Sequence, residues 1–307
     1  MPDPMTDRDN LIHNLSEQFD AFMKSDALQG ILDLLGCDAT ALGEQFYTRK
    51  VSNAKIIEEQ VIKPLESLEA IRYELFPYMR ELGLVDINEP VNKNYNRIIV
   101  LAGALSTCYL RALYAATQMH ENVISVDATA CYRPINPIER EQSEFNSNSD
   151  SEFGVMSEAL AYAFGLGKSN YTEDFDSDRN LNSISCIRTF NETVGNCTFR
   201  ALAAPSTEPH IRRADSYDSL DFYLKTSDLA PTDKILLIST NRCCNRQFIQ
   251  LAHEMIATDR LISFDIIGRI AGQEIATPDD YSPTHYMNEI VGTIDWIQRF
   301  KKDFCKS

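Results

Sequence analysis

A short segment of the chain combines a glycine, two hydroxyls and an arginine in a spacing that suits an anion. The segment Leu101 to Thr107 contains Gly103, and Ser106 and Thr107 stand where a helix is expected to begin. Glycine permits close approach of the backbone, and hydroxyls beside the unpaired N–H groups of a helix start form a natural anion site. Arg111 lies one turn further on the same helix face and would reach a phosphate or carboxylate. The structural alternative is that both hydroxyls cap the helix while the arginine pairs with a surface acid.

The same order of residues occurs in Ile235 to Gln247, where a buried strand ends in polar residues and a helix follows. This strand would deliver Thr240 and Asn241 to the carboxyl edge of a sheet, with Arg246 at the start of the helix. Ligands of open α/β proteins bind at that edge. Two such turns predict one shared crevice.

The first turn lacks the Gly-x-Gly-x-x-Gly fingerprint and the P-loop lysine, so standard NAD or ATP binding is not expected.

A pair of adjacent arginines, Arg212 and Arg213, precedes Asp215 and Ser216, where another helix is expected to begin. Guanidinium groups next to the positive end of a helix dipole would hold an anionic ligand. The competing interpretation is that both arginines form ordinary surface ion pairs. Asp218 follows Asp215 by three residues, which is a weak form of the capping box.

Two carboxylates are the candidates for acid–base chemistry. Glu152 follows the Glu-, Ser- and Asn-rich segment 137–151 and opens a helix. It is our first choice as a general base or ligand contact, with stabilisation of the helix start as the alternative. Asp215 is the second choice, as a base or as a partner for a sugar hydroxyl. Segment 137–151 is predicted to be a mobile loop, either a solvated linker or a lid over the crevice.

Metal and thiol chemistry have little support in the sequence. The five histidines are scattered, and no histidine spacing is typical of a metal site. Cys243 and Cys244 lie near a strand end, but no base is visible beside them. We therefore predict no metal and no catalytic thiol.

Periodicity along the chain predicts two regions. Apolar residues recur at spacings of three and four from Asp9 to about Leu84, which predicts four or five helices. From Arg97 onward strands alternate with helices, as is typical of a mostly parallel sheet with helical crossovers. Residues 171–191 contain an acidic loop and then a stretch of no clear pattern. We expect an α/β, Rossmann-like three-layer sandwich at residues 93–307, preceded by an α-helical region at residues 1–92.

Composition restricts the classes of partner and the compartment. The chain of 307 residues carries a formal net charge of −16. Nucleic acid and anionic lipid surfaces require clustered cations, so neither is an expected partner. No apolar run approaches the ~18–20 residues needed to span a bilayer. The eight cysteines include no Cys-x-x-Cys and are predicted to be reduced, which indicates the cytoplasm. Secretion without a cleaved signal stays open.

Four motifs occur in order between residues 97 and 268. They are the strand Ile98 to Gly103, the Ser151-Glu152 helix start, the segment Arg213 to Asp218, and the strand Leu236 to Thr240 followed by Arg246. This order resembles the YdcF/SanA/ElyC family, which has a domain of unknown function. The resemblance implies a Rossmann-like sandwich with its ligand over the strand ends, and S-adenosylmethionine or a nucleotide-like molecule as that ligand. Ala102-Gly103 replaces the family's Gly-Gly, and Asp215-Ser216 replaces its Asn-Thr.

Two functions are compatible with these features. In the first, the crevice binds a nucleotide-like or phosphorylated small molecule, and the protein acts as a transferase or hydrolase on it. In the second, the α/β region is a non-catalytic scaffold and the N-terminal helices engage a protein partner. An open crevice beside well-packed helices would favour the first, whereas a contiguous apolar surface on residues 1–92 would favour the second.

Overall fold

The computed structural model describes residues 7–46, 65–86, 89–91, 93–268 and 277–305. In chain order its strands are β1 (Arg97–Leu101), β2 (Ser125–Ala130), β3 (Tyr171–Asp176), β4 (Ser185–Phe190), β5 (Thr198–Ala203), β6 (Lys234–Ser239) and β7 (Ser263–Gly268). Its helices of five residues or more are α1 (Asp7–Met23), α2 (Asp26–Leu35), α3 (Ala39–Phe46), α4 (Glu66–Ala70), α5 (Arg72–Glu81), α6 (Leu105–Thr117), α7 (Pro137–Glu141), α8 (Glu152–Phe164), α9 (Ser216–Thr226), α10 (Cys244–Ala257) and α11 (Pro283–Phe304).

The seven strands form one sheet in the order β3-β4-β5-β2-β1-β6-β7. Strands β5, β2, β1, β6 and β7 are parallel, and β4 joins β3 to this set by antiparallel pairing on both of its sides. From β1 the chain moves to β2 and β5 on one side, and later to β6 and β7 on the other. The strand order therefore reverses between β1 and β6. Ligands of such folds bind at the carboxyl ends near this reversal.

Helices cover both faces of the sheet, which is why the central strands are apolar on both sides. In β1, Ile98 and Val100 belong to the core that α6 and α8 complete. Ile99 and Leu101 belong to the core on the opposite face, with side chains of α9 and α10. All four side chains are buried. The protein is thus an α/β three-layer sandwich of Rossmann-like architecture, as the alternation of strands and helices predicts.

Helix α11 links the sandwich to the five helices that precede β1 in the described part of the chain. Ile290 of α11 shares a core with Leu28 of α2 and Met79 of α5. Near the other end of α11, Phe300 packs edge-on against Phe19 of α1, with ring centroids 5.0 Å apart. The early helices therefore share their cores with the last helix rather than with one another alone.

The sheet extends further than the apolar pattern predicts, because β3 and β4 lie within residues 171–191. After Tyr171, every side chain of β3 is exposed. An edge strand without a buried face has no alternating apolar pattern, so periodicity cannot reveal it. In β4 only Cys186 and Phe190 are buried, which is too few for a clear strand signal.

Candidate functional site

Arg111 and Thr240 meet at the point where the strand order reverses. The Arg111 guanidinium donates to the carbonyl oxygens of Leu101 and Ala102, both at 2.7 Å, and to Thr240 Oγ1 at 2.8 Å. Arg111 is buried, and burial lowers its pKa. Its donors face neutral oxygens of the chain itself. This arginine therefore ties the ends of β1 and β6 together and has almost no surface left for a ligand.

The start of α6 contacts an anion, and that anion belongs to the chain itself. The Leu105 N–H donates to Glu139 Oε2 at 3.0 Å. Ser106 Oγ donates to Ser143 Oγ at 3.0 Å. Glu139 and Ser143 both belong to segment 137–151, in which the sequence predicts a linker or a lid. The segment thus folds onto the position where the sequence predicts a bound anion.

Gly103 is enclosed by its neighbours. A β-carbon at this position would lie 2.9 Å from Cγ2 of Thr107, which favours glycine beside the first turn of α6. The Gly103 carbonyl accepts a hydrogen bond from Nη2 of Arg133 at 2.8 Å. The backbone at Gly103 and the side chain of Thr107 therefore contribute to the packing of this turn.

Arg133 is the central cation of this edge, although none of the sequence motifs points to it. Its side chain is 8% exposed and forms ion pairs with Glu152 and, at 2.6 Å, with Glu139. Burial alone would lower the pKa of Arg133, but the two carboxylates outweigh burial and raise that pKa. Arg133 lies three residues after the end of β2. The rule that singles out Thr240 and Asn241, a polar residue soon after a buried strand, would have found it.

Glu152 is engaged by fixed donors on both carboxylate oxygens. Oε2 accepts from Nε of Arg133, and Oε1 accepts from the Cys131 N–H at 3.3 Å. Glu152 also opens α8, whose N-cap Ser151 accepts from the Gly154 N–H. The carboxylate is buried. It is therefore placed to orient Arg133 rather than to take a proton from a ligand in open solvent.

The two adjacent arginines have different surroundings. Arg212 donates to Glu208 at 2.9 Å and forms a close ion pair with the buried carboxylate of Asp218. Asp215 caps α9, and Asp215 and Asp218 form the predicted capping box. The carbonyl oxygen of Arg213 accepts from Arg212 at 3.1 Å. The Arg213 side chain is exposed and forms no hydrogen bond or ion pair among the residues that the structure describes. The sequence gives no reason to distinguish Arg212 from Arg213, but in the structure only the Arg213 side chain is available to a ligand.

Arg246, Ser216 and Asn241 contribute to the packing of α10 against its neighbours. Arg246 is buried and donates to Glu289 Oε2 of α11 at 2.7 Å and to Ser216 Oγ at 3.0 Å. Burial alone would lower the pKa of Arg246, but Glu289 outweighs burial and raises it. Asn241 Nδ2 donates to the carbonyl oxygen of Asp86 at 2.7 Å. These three predicted site residues are therefore bonded to other parts of the chain, as Arg111 and Thr240 are.

A small pocket opens beside Arg133 at the carboxyl ends of β2 and β5. It is a shallow depression that leaves no internal space for a water molecule, whereas most small-molecule sites enclose about 300–1,000 Å³. Burial, and then the nearby Glu152, raise the pKa of the Cys131 thiol to about 12. This thiol is protonated at neutral pH and is not a ready nucleophile. The pocket is lined by Cys131, Tyr132, Arg133, Leu181, Asn182, Ala204, Arg213 and Ala214.

The fold and this edge define the class of protein as an α/β, Rossmann-like protein with a small pocket lined by Arg133 and Arg213 at its strand ends. No family model, no curated protein and no solved structure matches the chain. The similarity to the YdcF/SanA/ElyC family therefore stays a prediction from the motifs. Within the described residues, no His, Cys, Asp or Glu group is suited to a metal ion. In the same part of the chain, none of the helices has the length and apolarity needed to cross a bilayer.

Proposed function

We propose that the protein binds a small anionic molecule of the nucleotide-like or phosphorylated class in the pocket at the carboxyl ends of β2 and β5. The observation that carries this proposal is the exposed guanidinium of Arg213. It lines the pocket and has no acidic partner in the described part of the chain. Arg133 and Arg212, by contrast, are paired with carboxylates.

An unpaired guanidinium suits the recognition of an anion. Its planar donors match the oxygens of a phosphate or carboxylate, and such charge-assisted hydrogen bonds are stronger than neutral ones. The chain has a net charge of −16, so a nonspecific attraction for anions is not expected. A local cation in a pocket at the strand ends is therefore best explained by a specific anionic group.

The surroundings of the candidate bases support binding more strongly than a reaction. Glu152 is held by Arg133, and Asp215 accepts from the N–H groups of Tyr217 and Asp218 as a helix cap. A general base needs a lone pair directed at the proton it takes. Group transfer and hydrolysis therefore stay expectations from the sequence, while ligand binding is the function proposed.

The test is a thermal-shift screen of the whole chain. The candidate ligands are S-adenosylmethionine, S-adenosylhomocysteine, adenine nucleotides, ADP-ribose and sugar phosphates. A ligand at ~100 times its Kd stabilises the native state by about 2.7 kcal/mol, which is easily detected. We expect at least one anionic compound to raise the Tm and Arg213→Ala to abolish the effect. Lys168→Ala, which removes an exposed positive charge from the loop between α8 and β3, should keep it. A screen without any shift would contradict the proposal.

The alternative, a protein-interaction module that uses the N-terminal helices, has less support. On the described part of these helices, only Leu34 and Tyr73 are exposed large apolar side chains. The hydroxyl of Tyr73 also donates to Asp279 at 2.8 Å. Two separate apolar side chains do not form the contiguous surface that a partner usually covers.

A further inference from the structure

Segment 137–151 is held against α6 by contacts along its length. Glu139, near its start, accepts from the Leu105 N–H, and Ser143 accepts from Ser106. Further along, Phe145 stacks on Tyr109, with ring centroids 4.7 Å apart and an angle of 6° between the planes. Through these contacts the segment covers the start of α6, and we call this arrangement closed.

Glu139 has the environment of a bound anion. Its carboxylate accepts an N–H at the positive end of α6 at 3.0 Å and two donors from Arg133, at 2.6 and 3.1 Å. A phosphate oxygen favours the same set of donors, a helix N-terminus together with a forked guanidinium. The same Arg133 also lines the pocket that holds Arg213. An anion bound in that pocket would therefore lie next to Arg133, which already forms an ion pair with Glu139.

The size of the pocket indicates that the closed arrangement is incomplete as a ligand site. The pocket leaves no internal space even for a water molecule, so a phosphate group needs room that the closed arrangement does not provide. Releasing Glu139 would free two donors of Arg133 and the Leu105 N–H without disturbing the ion pair between Arg133 and Glu152. The site would then gain both room and positive charge.

We propose that Glu139 is an internal competitor that keeps segment 137–151 closed, and that the anionic group of the ligand displaces it from Arg133 and from the start of α6. This inference rests on the proposed function, because it concerns the same pocket. The ligand class that fits is a phosphate or pyrophosphate ester, since its charge at neutral pH can exceed the single charge of the Glu139 carboxylate. Binding should therefore open the segment.

The experiment compares the affinity of three full-length proteins for inorganic pyrophosphate by isothermal titration calorimetry. Glu139→Gln keeps the shape of the side chain but removes its charge, and Glu141→Gln is the matched control because Glu141 is exposed on the same short helix. We expect Glu139→Gln to bind at least about five-fold more tightly than the wild type, because the closed state is no longer favoured. Glu141→Gln should bind like the wild type.

A second variant and a second readout keep the inference testable if Glu139→Gln does not fold. Phe145→Ala removes the ring stacked on Tyr109, leaves Glu139 and Arg133 unchanged, and should also tighten binding. Hydrogen exchange in segment 137–151 of the wild type should become faster when pyrophosphate binds.

The outcomes separate this inference from the proposed function. If pyrophosphate binding is lost in Arg213→Ala but is equal or weaker in Glu139→Gln, the displacement of Glu139 is wrong and the proposed pocket stands. Unchanged exchange in segment 137–151 upon binding would also overturn the displacement. If neither the wild type nor Glu139→Gln binds pyrophosphate, and the ligand screen shows no shift, both proposals are wrong.

Discussion

At the scale of single residues, the carboxylates around each arginine determine what that arginine can do. Arg212 and Arg213 are neighbours in sequence, yet Arg212 pairs with Asp218 and Glu208 while Arg213 lies exposed at the pocket. A paired guanidinium stabilises the fold, and an unpaired one can recognise a ligand. The two arginines differ because Arg212 pairs with Asp218, whose side chain has no exposed surface.

We expect Asp218→Asn to lower the free energy of unfolding by about 2–3 kcal/mol at neutral pH. The Asp218 carboxylate accepts from Arg212, from the Asp215 N–H at 2.8 Å and from Thr207 Oγ1 at 2.7 Å. Burial opposes its ionisation, but these donors outweigh burial and lower its pKa from 3.8. Urea denaturation measures the loss, and Asp174→Asn, at an exposed position of β3, should change little.

The same variant has a defined pH dependence. A carboxyl whose pKa is lower in the folded state stabilises the fold above its unfolded pKa of 3.8. That contribution is lost as the pH falls through the folded value. The difference between wild type and Asp218→Asn should therefore be complete at neutral pH and shrink below about pH 4. A difference of constant size down to about pH 2 would show that the charge of Asp218 is not its cause.

At the scale of elements, the turns that follow the strands are positioned by close contacts between neighbouring strand ends. Gly268 ends β7 beside the turn that follows β6, and a β-carbon there would lie 2.3 Å from the Asn241 backbone nitrogen. Real β-carbons do not approach backbone atoms so closely. The turn that carries Thr240 and Asn241 therefore depends on a glycine in the adjacent strand.

We expect Gly268→Ala to lower the free energy of unfolding by about 1–3 kcal/mol, because the backbone must move to admit the methyl group. Gly43→Ala is the matched control. Gly43 lies within α3, and no atom lies within 4 Å of the position of its β-carbon. There the same change should raise stability by about 0.5–1 kcal/mol, since glycine disfavours a helix. Thermal denaturation measures the change in stability of each variant. Equal changes in Gly268→Ala and Gly43→Ala would contradict the packing argument.

At the scale of the whole molecule, the helices before β1 and the α/β sandwich are joined through α11. Ile290, Val291 and Ile294 of α11 are buried in a core with side chains of α2 and α5. Asn241 and Asn245 add hydrogen bonds to carbonyl oxygens of Asp86 and Leu82. Removing the early helices would expose one side of α11 to water.

We therefore expect residues 93–307, produced without residues 1–92, to aggregate or to bind a hydrophobic dye. The exposed apolar face of α11 is the physical reason. The full chain should unfold in one cooperative transition, since the shared core couples its parts. Size-exclusion chromatography and calorimetry measure both properties. A monomeric fragment that unfolds cooperatively would show that the division near residue 92 separates two independent units.

Much of the fold could be predicted because its signals are local. The start of the helix Glu152–Phe164 is predicted correctly because Ser151 supplies the cap, and the helix ends before Gly165, whose left-handed φ of 68° favours glycine. Strand β6 is recognisable because a buried apolar run ends abruptly at Thr240. The capping box of Asp215 and Asp218 is confirmed for the same reason.

The sequence by itself determined the α/β class, the helix caps and which polar residues follow the strands, because each depends on residues a few positions apart. Only the tertiary structure decided which cations are already paired. Arg111 meets Thr240 across 129 positions, and Arg246 meets Glu289 across 43. The spacing of apolar residues along the chain contains no information about contacts between residues so far apart in sequence. The availability of Arg213, and the occupation of Arg133 by Glu139, follow from folding because electrostatic pairing depends on separation in space.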